Sequence, residues 1–132
     1  MTEKLQLQIR QLERATGRLA EVLSLEPTLV TMDATIQRFE FTFELAWKVM
    51  KNFAYEKGLE AISPRDAIRT AAQLGLIEKV EEWFAFLEAR NNSSHIYDDK
   101  MAADVYETAK KFLPEAKALI EKINHLQGSN LF

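Results

Sequence analysis

Between Asp33 and Glu56 the chain carries two apolar rows at helical spacing, Ile36, Phe39, Phe43, Trp47 and Met50 on one face and Phe41, Leu45, Val49 and Phe53 on another. A helix that is apolar nearly all round must be covered on several sides, so this one is expected at the centre of a helical assembly. Asp33 is read as its N-cap, and Gly58 follows its end. A monomer seldom leaves a large apolar patch in water, so the second row predicts a further covering subunit and therefore a homodimer.

The flanking sequence supplies helices to surround it. Leu5, Ile9, Leu12, Thr16, Leu19 and Leu23 recur at steps of three and four, which predicts an amphipathic helix over residues 3–25 that ends near Pro27. Ser63-Pro64-Arg65-Asp66 places a capping hydroxyl, a proline at the first helical position and an acid in the first turn, and the helix it starts is expected to stop at Gly75. Val80, Trp83, Phe84 and Leu87 define a helix over residues 78–90, broken by Asn91-Asn92-Ser93-Ser94. A last helix from Asp99 uses Met101, Val105, Ala109, Phe112, Leu119, Ile120 and Ile123, with Pro114 expected to kink or divide it and a tail frayed over 128–132. The fold class is all-α, an up-and-down bundle of about five helices. With 132 residues, four glycines and three prolines, and with no repeat or linker, it forms one domain over 1–132.

Composition excludes several kinds of chemistry. The absence of cysteine removes disulfides, thiolate metal sites and thiol nucleophiles, and it fits a cytoplasmic protein. The N-terminus lacks the pattern of a secretory signal, and no stretch approaches the ~18 apolar residues of a membrane span. A net charge of −3 argues against coating nucleic acid by bulk electrostatics and leaves room for a local basic site. The four glycines are scattered, so there is no phosphate-cradling loop. Neither histidine sits in the Glu-x-x-His setting of a carboxylate-bridged metal pair: Asn92 precedes His95 by three and Lys122 precedes His125 by three. The reading calls for no metal and no cofactor, and His125 is taken as a solvated residue near a helix end.

Chemistry is concentrated in Arg90-Asn91-Asn92-Ser93-Ser94-His95-Ile96-Tyr97, which gathers a permanent cation, an imidazole, amides, hydroxyls and a phenol. A histidine can take a proton from a ribose 2′-hydroxyl or return one to a leaving oxygen, and an arginine can stabilise charge developing on phosphorus. The same residues also fit a plainer role, in which Arg90 and the Asn-Ser run cap a helix end while His95 and Tyr97 pack in a polar corner. One such histidine per chain is too few for an acid and a base unless two-fold symmetry brings up a second copy. On the apolar helix, Glu44 and Lys48 make an ordinary i, i+4 pair, whereas Glu40 needs a partner such as Arg38 and is a candidate orienting residue.

Arg90-x4-His95-x-Tyr97, with Trp83 and Leu87 before it and Asp98 after it, resembles the signature of HEPN-domain proteins. Gln37-Arg38-Phe39-Glu40-Phe41-Thr42-Phe43-Glu44-Leu45-Ala46-Trp47-Lys48 and Ser63-Pro64-Arg65 resemble the matching segments of the subfamily of nucleotidyltransferase substrate-binding proteins and HepT-like toxins, a similarity over roughly residues 5–125. The resemblance implies a dimeric helical bundle that associates with a separately encoded minimal nucleotidyltransferase, often as a toxin and antitoxin pair. It implies metal-independent RNA cleavage by Arg90 and His95 with Asn91 as the adjoining polar residue, and regulation through adenylylation of Tyr97. Some members are instead subunits that bind a nucleotide or substrate for the nucleotidyltransferase without cleaving anything. A basic rim for RNA or nucleotide is expected from Arg38, Arg65, Arg69, Arg90 and Lys100 if the fold brings them together.

Overall fold

The computed structural model describes residues 1–129, which form five helices and no strand among the described residues. α1 spans Glu3–Leu23, α2 Leu29–Glu56, α3 Pro64–Gln73, α4 Val80–Asn92 and α5 Asp99–Ser129, with one turn of 3-10 helix at Ser93–His95 between the last two.

Local chemistry sets most of the boundaries. Thr2 caps α1, its hydroxyl accepting from the Leu5 amide at 3.2 Å. Ser63 caps α3 by accepting from Asp66, and Pro64 stands at the start of that helix, as expected from the sequence. Gly75 takes a φ of +79° just beyond α3, where the Leu76 amide reaches back to the Ala71 carbonyl at 2.9 Å.

Other features differ from expectation, among them the end of α1, which stops at Leu23 and not at residue 25. α2 begins a turn before Asp33, because Thr28 and Thr31 satisfy each other's backbone amides: Thr28 Oγ1 accepts from the Thr31 amide at 3.1 Å and Thr31 Oγ1 from the Thr28 amide at 2.7 Å. α4 is shifted two residues toward the C-terminus at both ends. α5 runs through Pro114 as one helix; Pro114 lies on the exposed side, where solvent can bond the Lys110 carbonyl that the missing N–H leaves free. Of the tail expected to fray, Gly128 and Ser129 belong to α5, and 130–132 lie outside the described residues.

α2 is central, packing against each of the other four helices. It forms an antiparallel hairpin with α1, tied at Thr2 to Glu56 (3.2 Å), Gln8 to Asn52 (2.6 Å) and the Arg18 carbonyl to Arg38 (2.7 Å). Phe39 and Phe43 of α2 meet Trp83 and Phe86 of α4 around Phe112 of α5, whose ring centroid lies 5.2 to 6.1 Å from the other four. The second apolar row of α2 is covered largely from within the chain: Val49 and Phe53 are buried and Leu45 is half-buried, so only Phe41, 60% exposed, stands clear.

Candidate functional site

The connection from α4 to α5 stays compact because its polar groups satisfy its own backbone. Ser93, buried, donates its hydroxyl to the Arg90 carbonyl at 2.6 Å and tightens the end of α4 into the 3-10 turn. The Asp98 amide donates to the His95 carbonyl at 3.1 Å, and Asp98 Oδ1 accepts from the Lys100 and Met101 amides, which caps the start of α5. Ile96, half-buried, packs against the core from the middle of the connection. The whole segment is therefore pinned at both ends and in the middle.

On this frame Arg90, His95 and Tyr97 are presented differently. The Arg90 guanidinium turns back onto α2: Nη1 lies 3.7 Å from Glu44 Oε2 and the guanidinium carbon 5.8 Å from the Phe43 ring centroid, a cation over an aromatic face. Its Nε is buried with no hydrogen-bond partner among the described residues. His95 and Tyr97 are exposed, Tyr97 at 82%, so they do not pack into a polar corner. The Tyr97 hydroxyl stands 3.4 Å from His95 Nδ1, with the two rings edge to face at 6.0 Å. A phenol can donate or accept, so it fits either tautomer of the ring and leaves Nε2 of this exposed residue as the nitrogen able to act as acid or base. Asn91 is exposed next to Arg90.

The remaining candidates disperse. Arg38 does not partner Glu40: Nη1 donates to the Arg18 carbonyl at 2.7 Å and lies 3.8 Å from Glu21, which commits it to α1. Glu40 is half-buried and makes no ion pair among the described residues. Arg65 and Arg69 both lie over the Phe84 ring, at 4.6 and 5.6 Å from its centroid, and Arg69 also approaches Asp66 at 3.9 Å. Lys100 is exposed in the first turn of α5. Arg38 is thus held by α1, and Arg65 and Arg69 by Phe84 and Asp66, whereas Arg90 is held by Glu44 and Phe43.

Glu44, assigned from sequence to a local pair with Lys48, is the carboxylate that meets Arg90. No signal in the sequence singles it out, since the pair forms only when α4 packs on α2. No three His, Asp or Glu side chains come together as metal ligands among the described residues, and no helix there is long and apolar enough to cross a membrane.

Residues 3–125 match the family of nucleotidyltransferase substrate-binding-like proteins. A Haemophilus influenzae protein described as probable ribonuclease HepT is 30% identical over 93% of this chain and 94% of its own length. A solved Haemophilus influenzae structure, reported to reveal the fold of a nucleotidyltransferase's substrate-binding domain, is 28% identical with a TM-score of 0.78, over 88% of this chain and 98% of that one. A tri-AMPylated Shewanella oneidensis HEPN toxin, solved in complex with its MNT antitoxin, superposes with a TM-score of 0.76 over 95% of this chain and 99% of that one; at 17% identity it shares the fold.

Proposed function

We propose, since the chain belongs to the nucleotidyltransferase substrate-binding-like family of HEPN and HepT-like proteins, that it is the partner of a separately encoded minimal nucleotidyltransferase and the metal-independent endoribonuclease of a toxin–antitoxin pair. The observation that carries this reading is the contact of the exposed Tyr97 hydroxyl with His95 Nδ1 on the connection that follows the last turn of α4, where Arg90 stands. It joins a proton-transferring ring to a modifiable phenol, within one short stretch of chain that begins with a cation able to bind phosphate. The relative described as a probable ribonuclease supports it, since that likeness runs nearly end to end.

In this mechanism His95 Nε2 takes the proton from a ribose 2′-hydroxyl. The freed oxygen attacks phosphorus, the bond to the 5′-oxygen breaks, and that oxygen leaves with a proton, giving a 2′,3′-cyclic phosphate and a 5′-hydroxyl. Arg90 stabilises the extra charge on the phosphorane oxygens, and Asn91, beside it, orients the phosphate. A homodimer supplies two copies of His95, one as base and one as acid. Adenylylation of Tyr97 by the partner would put a bulky phosphate ester against His95 and stop the reaction.

The test is cleavage of mixed RNA in excess chelator by the wild type and by His95→Ala. Cleavage that leaves cyclic phosphate ends and falls ~100- to 10,000-fold in the variant is the expected result. Equal cleavage by both proteins overturns the assignment. The family's description as substrate-binding proteins favours a second reading, in which the same cluster docks a nucleotide for the transferase without turnover. Nucleotide binding by a dimer that cuts no RNA and carries an unmodified Tyr97 by intact mass would select it.

A further inference from the structure

The face of the α1–α2 hairpin carries a groove of about 540 Å³, lined among others by Arg14 and Arg18 of α1 and by Arg38, Phe41 and Leu45 of α2. Arg90 and its partners lie elsewhere: Phe41 and Phe43 are two positions apart on α2 and so point about 200° apart around it. No role in the cleavage chemistry falls to any of these groove residues.

The groove is cationic in a chain whose net charge is −3. Arg10, Arg14 and Arg18 follow one another at i, i+4 along α1, a like-charge series that a helix by itself disfavours. None of the three side chains makes an ion pair among the described residues; Glu13 forms none with them, and Glu21 is engaged by Arg38. Successive arginines of the series are about 6 Å apart along the axis. Beside them Phe41 offers a ring 60% exposed, over a floor that includes Ala15 and Leu45. The volume falls in the range of small-molecule sites.

A second copy of the chain is a poor occupant, because a two-fold contact at this groove would bring arginines toward arginines. An apolar helix would leave the cations unneutralised. A nucleotide unit answers both features: its phosphate meets the free guanidinium groups, its base stacks on Phe41, and the Gln37 amide at the groove wall can bond the base edge.

We propose that the α1–α2 groove binds a nucleoside phosphate unit, with Arg14 and Arg18 on the phosphate and Phe41 under the base. The unit is either a free nucleotide or one residue of a single-stranded RNA held away from the cleavage cluster. The latter source rests on the ribonuclease reading; the site itself does not.

The experiment is fluorescence anisotropy of a short labelled single-stranded RNA with the full-length His95→Ala protein, compared with the same protein carrying Phe41→Ala or the pair Arg14→Ala and Arg18→Ala. Loss of stacking is expected to weaken binding about 5- to 150-fold, and loss of the two cations to lower the salt slope by about 1.4. Competition by adenosine monophosphate assigns the site to free nucleotides, and failure to compete assigns it to the RNA strand. Undetectable binding of both probes, or binding unchanged in both variants, overturns the proposal. So does a change in sedimenting mass caused by Phe41→Ala, which would make the groove a subunit contact. No cleavage is measured, so an inactive wild-type enzyme would defeat the ribonuclease reading and leave this result standing.

Discussion

The Glu44 carboxylate and the Arg90 guanidinium meet at 3.7 Å across the packing of α2 and α4, with Phe43 beneath the cation. Glu44 therefore aims Arg90, and its own side chain is a positioning group. Glu44→Gln keeps the shape and removes the charge. Because both partners are partly exposed, stability should change by no more than about 1 kcal/mol. On the proposed ribonuclease reading, RNA cleavage in single-turnover assays should fall by up to about 100-fold, the scale of a misplaced catalytic group. Thermal melting and kinetics measured on the same preparation separate the two effects, and a large melting shift with unchanged cleavage would count against a positioning role.

Phe112 is the ring on which the core converges, fully buried and in contact with four other aromatic rings. Phe112→Ala should cost about 3 to 5 kcal/mol, from lost transfer energy together with the cavity left between α2, α4 and α5. Urea denaturation checks this directly. A loss under about 1 kcal/mol would mean that the cluster collapses around the hole.

Two glycines should respond to alanine with opposite signs. Gly17 lies inside α1 with open space where a Cβ would go, so Gly17→Ala should stabilise by roughly 0.5 to 1 kcal/mol. Gly75 holds a φ of +79°, so Gly75→Ala should destabilise by roughly 1 to 2 kcal/mol although nothing obstructs the methyl group. Paired denaturation curves compare the two.

Lys79 donates to Glu115 at 3.2 Å, and this bond, with the nearby charge of Glu115 and Glu82, raises the lysine above its ordinary value of 10.5. A cation whose folded-state pKa is raised contributes stability that is full below the unfolded-state value and disappears as pH rises through the folded one. Glu115→Gln should therefore be slightly less stable than the wild type at neutral pH, and the gap should close in strongly alkaline buffer. Melting temperatures taken across that range test the sign.

The parts of the fold that were legible in the sequence are those whose signals are local. Ser63, Pro64 and Gly75 mark both ends of α3 by backbone chemistry that needs no other helix. The central place of α2 followed from its two apolar rows. Thr28 is hard to recognise as a cap because the partner in its capping box is a threonine, Thr31, instead of the usual longer acid or amide. Pro114 leaves α5 undivided because it sits on the exposed side of the helix, a placement that depends on tertiary packing.

The candidate site divides along the same line. Arg90, Asn91, His95 and Tyr97 were visible as one dense run of polar chemistry. Glu44 was not, because Lys48 already explained it on its own helix, and only the packing of α4 on α2 reveals its actual partner. Arg38, Arg65 and Arg69 could not be placed from sequence, since a cation's contacts on another helix leave no trace in its own neighbours.

The burial of Trp83 among Phe43, Phe86 and Phe112 also gives this molecule two distinguishable native fluorophores. Trp83 is sealed from solvent, so its emission should lie well to the blue and shift only when the whole bundle comes apart. Trp47, half-buried on the flank of α2 with the Lys51 ammonium 6.0 Å from its ring, is the more exposed of the two and should emit to the red of Trp83. Red-edge excitation favours the second over the first, so an unlabelled sample can report disturbance along α2 and loss of the native core as separate optical events.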